Sequence, residues 1–117
     1  MARLATTADV FNAIAEPQRR AILELLARGE QSVQEICDSL HLKQPQVSKH
    51  LRVLRQVDLV SMRAEGQQHL YKIKADTLRP IHDWVKPFEQ LWNERFDRLA
   101  AYLNELQAKE KSNEQTN

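Results

Sequence analysis

The stretch QPQVSKHL, residues 44–51, holds side chains suited to reading a nucleic acid. Gln44, Gln46, Ser48 and Lys49, with Arg52 one turn further on, are donors and acceptors of the kind that meet base edges. Glutamine pairs with N6 and N7 of adenine, lysine with O6 and N7 of guanine, and each good bidentate contact is worth about 1–3 kcal/mol of discrimination. Lys43 stands just before them. Arg63, Gln67, Gln68 and His69 form a second polar group suited to phosphates or an adjacent groove. Little other chemistry is legible. There is no Ser/His/Asp order, Gly-rich phosphate loop or paired-carboxylate pocket, so neither catalysis nor a cofactor is expected.

The charge distribution agrees. The chain has 117 residues and a net charge of only +1, but residues 43–74 hold seven Lys or Arg against two acidic residues, a local +5. Such a patch on a near-neutral protein is an electrostatic footprint for phosphate. A lone cysteine, Cys37, excludes an internal disulfide framework and a C-x-x-C metal knuckle, and fits a reducing cytosol as a small core residue. His50 borders an apolar stripe and is expected to pack or hydrogen-bond within the fold. His69 either touches phosphate or is simply exposed. The N-terminus has no apolar signal region, and no run approaches the ~20 apolar residues of a membrane span. A cytoplasmic protein is expected.

The elements that must position these groups are mostly helical. Only two glycines occur, which argues against an all-β fold. Thr6 as N-cap with Asp9 at N3 predicts a helix over 6–15, broken by Glu16-Pro17. Pro17 opens a second helix that buries Ala21, Ile22, Leu25 and Leu26 and ends at Gly29. The Ser32–Glu35 capping box starts a short third helix with Val33, Ile36, Cys37 and Leu40 inward. Val47, Leu51 and Leu54 recur at helical spacing and predict a fourth helix over 44–56. Pro45 does not break it, because a first-turn N–H has no internal partner to lose. On a wheel centred on Val47, the aliphatic stripe lies within about 40°, and Pro45, Ser48, Lys49, Arg52 and Gln56 fall at about 100–200°. Two strands, 59–63 and 68–74, flank a hairpin at Ala64-Glu65-Gly66-Gln67. Asp76 is a candidate N-cap, residues 76–79 a short separate turn, and Pro80 a first-turn residue. Apolar positions at 3–4 spacing then predict a helix over 81–106, which Pro87 kinks or divides. The domain is expected to span 1–108, with a polar, disordered tail over 109–117.

Two short helices joined tightly, then a basic hairpin, make a winged helix-turn-helix, mainly α with a small β-hairpin. The second helix of the pair is the one that enters a major groove. Any surface helix is polar outside; the neighbouring wing gives that face its meaning. A helix over 81–106 would span about 39 Å, more than so small a domain covers alone. Its apolar side is expected to meet a second copy of the chain, through Trp84, Phe88, Leu91, Trp92, Leu99 and Leu103, joined by Phe11 and Ile14 of the first helix.

The segments DVFNAIAEPQRRAILELL (9–26), KQPQVSKHLRVLRQVDLV (43–60) and GQQHLYKI (66–73) resemble the ArsR-type winged-helix repressors. Residues 80–106 are similar to a branch lacking the founders' metal sites. The resemblance implies a homodimeric repressor that binds an inverted-repeat operator in double-stranded DNA through helix 44–56 and wing 59–74. It names no inducer. Two departures stand out: Lys43 replaces the family's capping Ser or Thr, and Asp58 replaces a Gly. Metal-sensing members carry a cysteine pair in the third helix, where this chain has Ser32 and Gln34, or a His/Asp set in the last helix, where His82 and Asp83 lack a second histidine. No metal is expected. The alternative is a winged-helix module that binds protein, which would need an apolar outer face on helix 44–56.

Overall fold

The computed structural model of the chain describes residues 9–115, in two compact units that divide between Ile81 and His82. The first holds α1 (Val10–Ile14), α2 (Pro17–Leu26), β1 (Gln31–Ser32), α3 (Val33–Leu40), α4 (Gln44–Gln56), β2 (Val60–Glu65), β3 (Gln68–Ile73) and a 3-10 turn (Ala75–Leu78). The last helix, α5 (Arg79–Gln115), starts there and forms the described part of the second unit.

The first helix among the described residues is Val10–Ile14, with Asp9 as its N-cap, accepting from the Asn12 N–H at 2.7 Å; the expected start at Thr6 lies outside the described residues. Asp caps as well as Thr, so two rival starts were encoded. The five-residue helix is finished by a device absent from the sequence reading. Arg19 Nε donates to the Ala13 carbonyl at 2.6 Å, and Arg20 Nη1 to the Ile14 carbonyl at 2.7 Å. Guanidinium groups from α2 thus satisfy the orphan carbonyls of α1.

Pro17 opens α2 as expected, but the helix ends at an Ala27 cap, two residues before Gly29. Its buried residues are Ile22, Leu23 and Leu26, while Leu25 packs only in part against the core. Ser32 does two jobs. Its backbone pairs with Leu70 in the sheet, and its Oγ accepts from the Glu35 N–H at 3.2 Å while Glu35 Oε1 accepts from the Ser32 N–H at 2.9 Å. The connection to α4 turns on His41, left-handed at φ 55°, where the His41 and Leu42 N–H groups both donate to the Cys37 carbonyl.

β2 and β3 form an antiparallel hairpin closed by the two residues Gly66-Gln67, with Glu65 opposite Gln68 and Gly66 at φ 61°. β2 starts one residue later and ends two later than the alternation predicts. The two-residue β1 adds a third strand, in the order β1-β3-β2. Asp58 takes the left-handed conformation at φ 64°, and its carboxylate pairs with Lys74 Nζ at 2.7 Å. The turn survives the loss of glycine because aspartate tolerates that region. One core joins these pieces, with Ile22, Leu26, Ile36, Val47, Leu51, Leu54 and Leu59 fully buried. Each such side chain contributes about 1.5–3 kcal/mol relative to exposure.

α5 departs from expectation in three ways. It starts at Arg79, so Asp76 lies inside the preceding 3-10 turn and does not cap it. It is not divided at Pro87: that ring removes one N–H, and the bonds on either side carry the helix through. Lys109 to Gln115, expected to be disordered, are helical, in keeping with the propensities of Lys, Glu and Gln. At 37 residues the helix is about 55 Å long. None of its described residues is buried, and Trp84, Phe88, Leu91, Trp92, Phe96, Leu99, Tyr102, Leu103 and Leu106 are all exposed. Among the described residues, no helix is long and apolar enough to cross a membrane.

Candidate nucleic-acid interface

α4 is built as the wheel requires. Val47, His50, Leu51 and Leu54 are buried, while Gln44, Pro45, Gln46, Ser48, Lys49, Arg52, Arg55 and Gln56 are exposed. Pro45 sits in the first turn, so its missing N–H costs no hydrogen bond. Lys43 occupies the N-cap, where an ammonium cannot accept, and the cap is made from the other side: Gln46 Oε1 accepts from the Lys43 N–H at 3.2 Å. Gln46 therefore splits its amide, with the oxygen holding the helix start and the NH₂ still a donor to the exterior.

The helix start and the wing tip share one surface. Gln44 lines an open cleft of about 260 Å³ with Gln67, Gln68 and His69 from the wing and Gln34 from α3. A second cleft, about 480 Å³, lies between α4 and the sheet and is lined by Ser48, Arg52, Arg55, Gln56 and Tyr71. Sequence reasoning left Gln34, Arg55 and Tyr71 off the site. Arg55 was legible as the residue one turn beyond Arg52. Gln34, and the buried Tyr71, come to line these clefts only through tertiary placement.

The basic residues divide into two kinds. No hydrogen bond or ion pair among the described residues engages the side chains of Lys49 or Arg52. Arg63, expected as a wing contact, is exposed and also ion-paired within the fold: Nε and Nη2 donate to the two Glu30 carboxylate oxygens, each at 2.8 Å, and Nη2 lies 2.9 Å from Glu65 Oε2. Hydrogen bonding to Arg63 holds the Glu30 carboxyl below the usual carboxylate range, and the same bond raises the guanidinium's affinity for its proton.

His50 lies on the inner side of α4, with Nε2 2.8 Å from Gln18 Oε1 of α2 and Nδ1 buried with no hydrogen-bond partner among the described residues. Desolvation, reinforced by Arg19 and Lys49 and opposed by Glu16, pushes its pKa below the usual 6.5. A depressed histidine pKa means the fold favours the neutral ring. Its contribution to stability is present above the unfolded value of about 6.5 and is lost as pH falls through the folded value. Denaturation at a series of pH values should show stability declining below about pH 6.5, with His50→Gln flattening that decline; an unchanged profile would contradict the assignment.

Among the described residues, no group of three or more His, Cys, Asp or Glu side chains is placed to hold a metal ion. Cys37 is buried, and His82 and Asp83 are exposed on α5.

A helix-turn-helix whose second helix turns a polar, cationic face outward beside a β-hairpin is a winged-helix DNA-binding domain. Residues 16–62 match the description "Bacterial regulatory protein, arsR family". Over 80 residues the chain is 32% identical to the transcriptional repressor SdpR of Bacillus subtilis, covering 68% of this chain and 89% of that one. It is 37% identical over 82 residues to an HTH-type transcriptional regulator of Methanocaldococcus jannaschii, covering 69% and 92%. Among solved structures, a possible transcriptional regulatory protein from Mycobacterium bovis (fragment 1–100) superposes with a TM-score of 0.61 at 30% identity, covering 76% of this chain and 96% of that one. Reduced HlyU from Vibrio cholerae does so with a TM-score of 0.57 at 31% identity, covering 68% and 84%. The chain belongs to the ArsR family of bacterial regulatory proteins. It is a DNA-binding transcriptional repressor, not an enzyme.

Proposed function

We propose that the protein acts in the cytoplasm as a homodimer, binding an inverted-repeat operator and occluding its promoter. The observation that carries this reading is the exposed, uncommitted face of α4, which presents Gln44, Ser48, Lys49 and Arg52. In the proposal those side chains, with Lys43 and the Gln46 NH₂, enter a major groove, and Gln67, Gln68 and His69 of the wing follow the adjacent backbone. The rival reading as a protein-binding module needs an apolar outer face, and α4 has none.

The dimer is supported by the apolar residues that α5 leaves in water. Trp84 and Phe88 lie 5.2 Å apart at 56°, and Leu91, Trp92, Leu99 and Leu103 continue the stripe at helical spacing. Phe11, 42% exposed, is proposed to meet the partner chain as well; Ile14 packs partly against the core and contributes less. A two-fold axis sets two copies of α4 in successive major grooves, about 34–36 Å apart. Sedimentation of the protein on a duplex from its own upstream region should give two chains per duplex, with affinity falling steeply as salt rises. One chain per duplex would overturn the dimer, and salt-insensitive binding would overturn the phosphate contacts.

A further inference from the structure

We propose that Arg63 is a positioning residue of the wing and not one of its DNA contacts. The order β1-β3-β2 puts Arg63 on an edge strand, opposite Leu70 of β3, with Ser32 of β1 on the far side of Leu70. Glu30 immediately precedes β1. The bidentate pair therefore crosses the sheet over β3 and joins segments 33 residues apart. A fork-to-fork guanidinium–carboxylate pair fixes direction as well as distance.

Two of the five guanidinium N–H groups donate to Glu30, and Nη2 is also ion-paired with Glu65 Oε2 at 2.9 Å. Two carboxylates face this one guanidinium, with Lys72 acting on Glu30 through space. That cluster is not a site of positive potential waiting for a phosphate. Among the described residues, Lys49 and Arg52 have no carboxylate partner. Val60 and Tyr71 anchor the base of the hairpin in the core, and β1 pairs with it over two residues; the Arg63–Glu30 pair adds a tie nearer the tip. Glu65 adjoins the Gly66-Gln67 turn and Arg63 lies two rungs below it, opposite Leu70, so the tie holds the base of the segment that delivers Gln67, Gln68 and His69. Exposed ion pairs add little to global stability; the effect falls on the wing's placement and not on folding.

The proposal rests on the DNA-binding reading, and its test carries a control for that reading. Operator affinity of the full chain is measured against salt for Arg63→Gln, Glu30→Gln, the swap Glu30→Arg with Arg63→Glu, and Lys49→Ala. A positioning role predicts that both single neutralisations weaken binding by a similar factor, about five- to tenfold. The slope of log affinity on log salt stays at the wild-type value, and the swap restores most of the loss. A phosphate contact at Arg63 predicts a slope smaller by about 0.9 for Arg63→Gln, no loss for Glu30→Gln and no rescue by the swap; that pattern overturns the proposal. Unchanged affinity in both single variants overturns it equally. Lys49→Ala must reduce the slope. If it does not, the reading of α4 has failed, independently of Arg63.

Discussion

Lys49→Ala combined with Arg52→Ala lowers operator affinity by about 2–4 kcal/mol, thirty- to a thousandfold, and leaves the fold intact. Both side chains are exposed on α4 and make no intramolecular bond among the described residues, so their removal takes nothing from the core. Surface substitutions of this kind alter stability by about 0.5 kcal/mol or less. The loss divides according to what each residue meets. A base-edge contact removes discrimination between operator and mutated operator, while a phosphate contact weakens all sequences alike and lowers the salt slope by about 0.9. Titration of operator and scrambled duplexes at several salt concentrations separates the two. A double variant that binds the operator at wild-type affinity would remove α4 as the reader.

Trp92→Glu is expected to turn the proposed homodimer into a monomer. Trp92 is 49% exposed within the chain, so a carboxylate there does not disturb the intramolecular core. Across a two-fold interface the same carboxylate would be buried beside its own copy or against aromatic rings, an uncompensated charge that costs several kcal/mol. The monomer retains one α4 and engages one half-site. It forfeits the effective concentration that links the two halves, so operator affinity drops by roughly 10²–10⁴. Sedimentation velocity reads the assembly state directly, and a dimeric variant would place the interface elsewhere. The order of consequences also separates this variant from the α4 pair: Trp92→Glu changes stoichiometry on DNA, and Lys49→Ala with Arg52→Ala does not.

The parts of the fold legible in the sequence are those fixed by local chemistry. Pro45 before the Val47, Leu51 and Leu54 stripe marks the start of α4, since proline fits only a first turn there. Ser32 and Glu35 announce their box, and Gly66 announces the hairpin. The misses have a common cause. β1 is two residues long, shows no period of its own and exists only because β3 is there to pair with it. The caps of α1 come from Arg19 and Arg20, whose identity says nothing of the carbonyls they meet. Pro87 reads locally as a break, yet Trp84, Phe88 and Leu91 keep one phase across it and the helix continues.

The site follows the same division. Residues placed by the period of α4 fall where the wheel puts them. The pairing of Arg63 with Glu30 was not legible, because a guanidinium on a strand looks the same in sequence whether it faces water or a carboxylate 33 residues away. Gln46 was legible as polar and exposed, but its role in capping depends on Lys43 failing to cap. Gln34 and the buried Tyr71 line the clefts through the packing of α3 and β3 beside α4.

Chemical protection of the operator with dimethyl sulfate tests the central claim most directly, because it methylates guanine N7 in the major groove and adenine N3 in the minor groove. With α4 in the groove, bound protein shields guanine N7 in two blocks whose centres lie about 10 base pairs, or a multiple of that, apart. Shielding is lost from both blocks in the Lys49→Ala, Arg52→Ala variant. A bound complex in which guanine N7 stays fully reactive, with protection confined to adenine N3 or to the sugar–phosphate backbone, would contradict it.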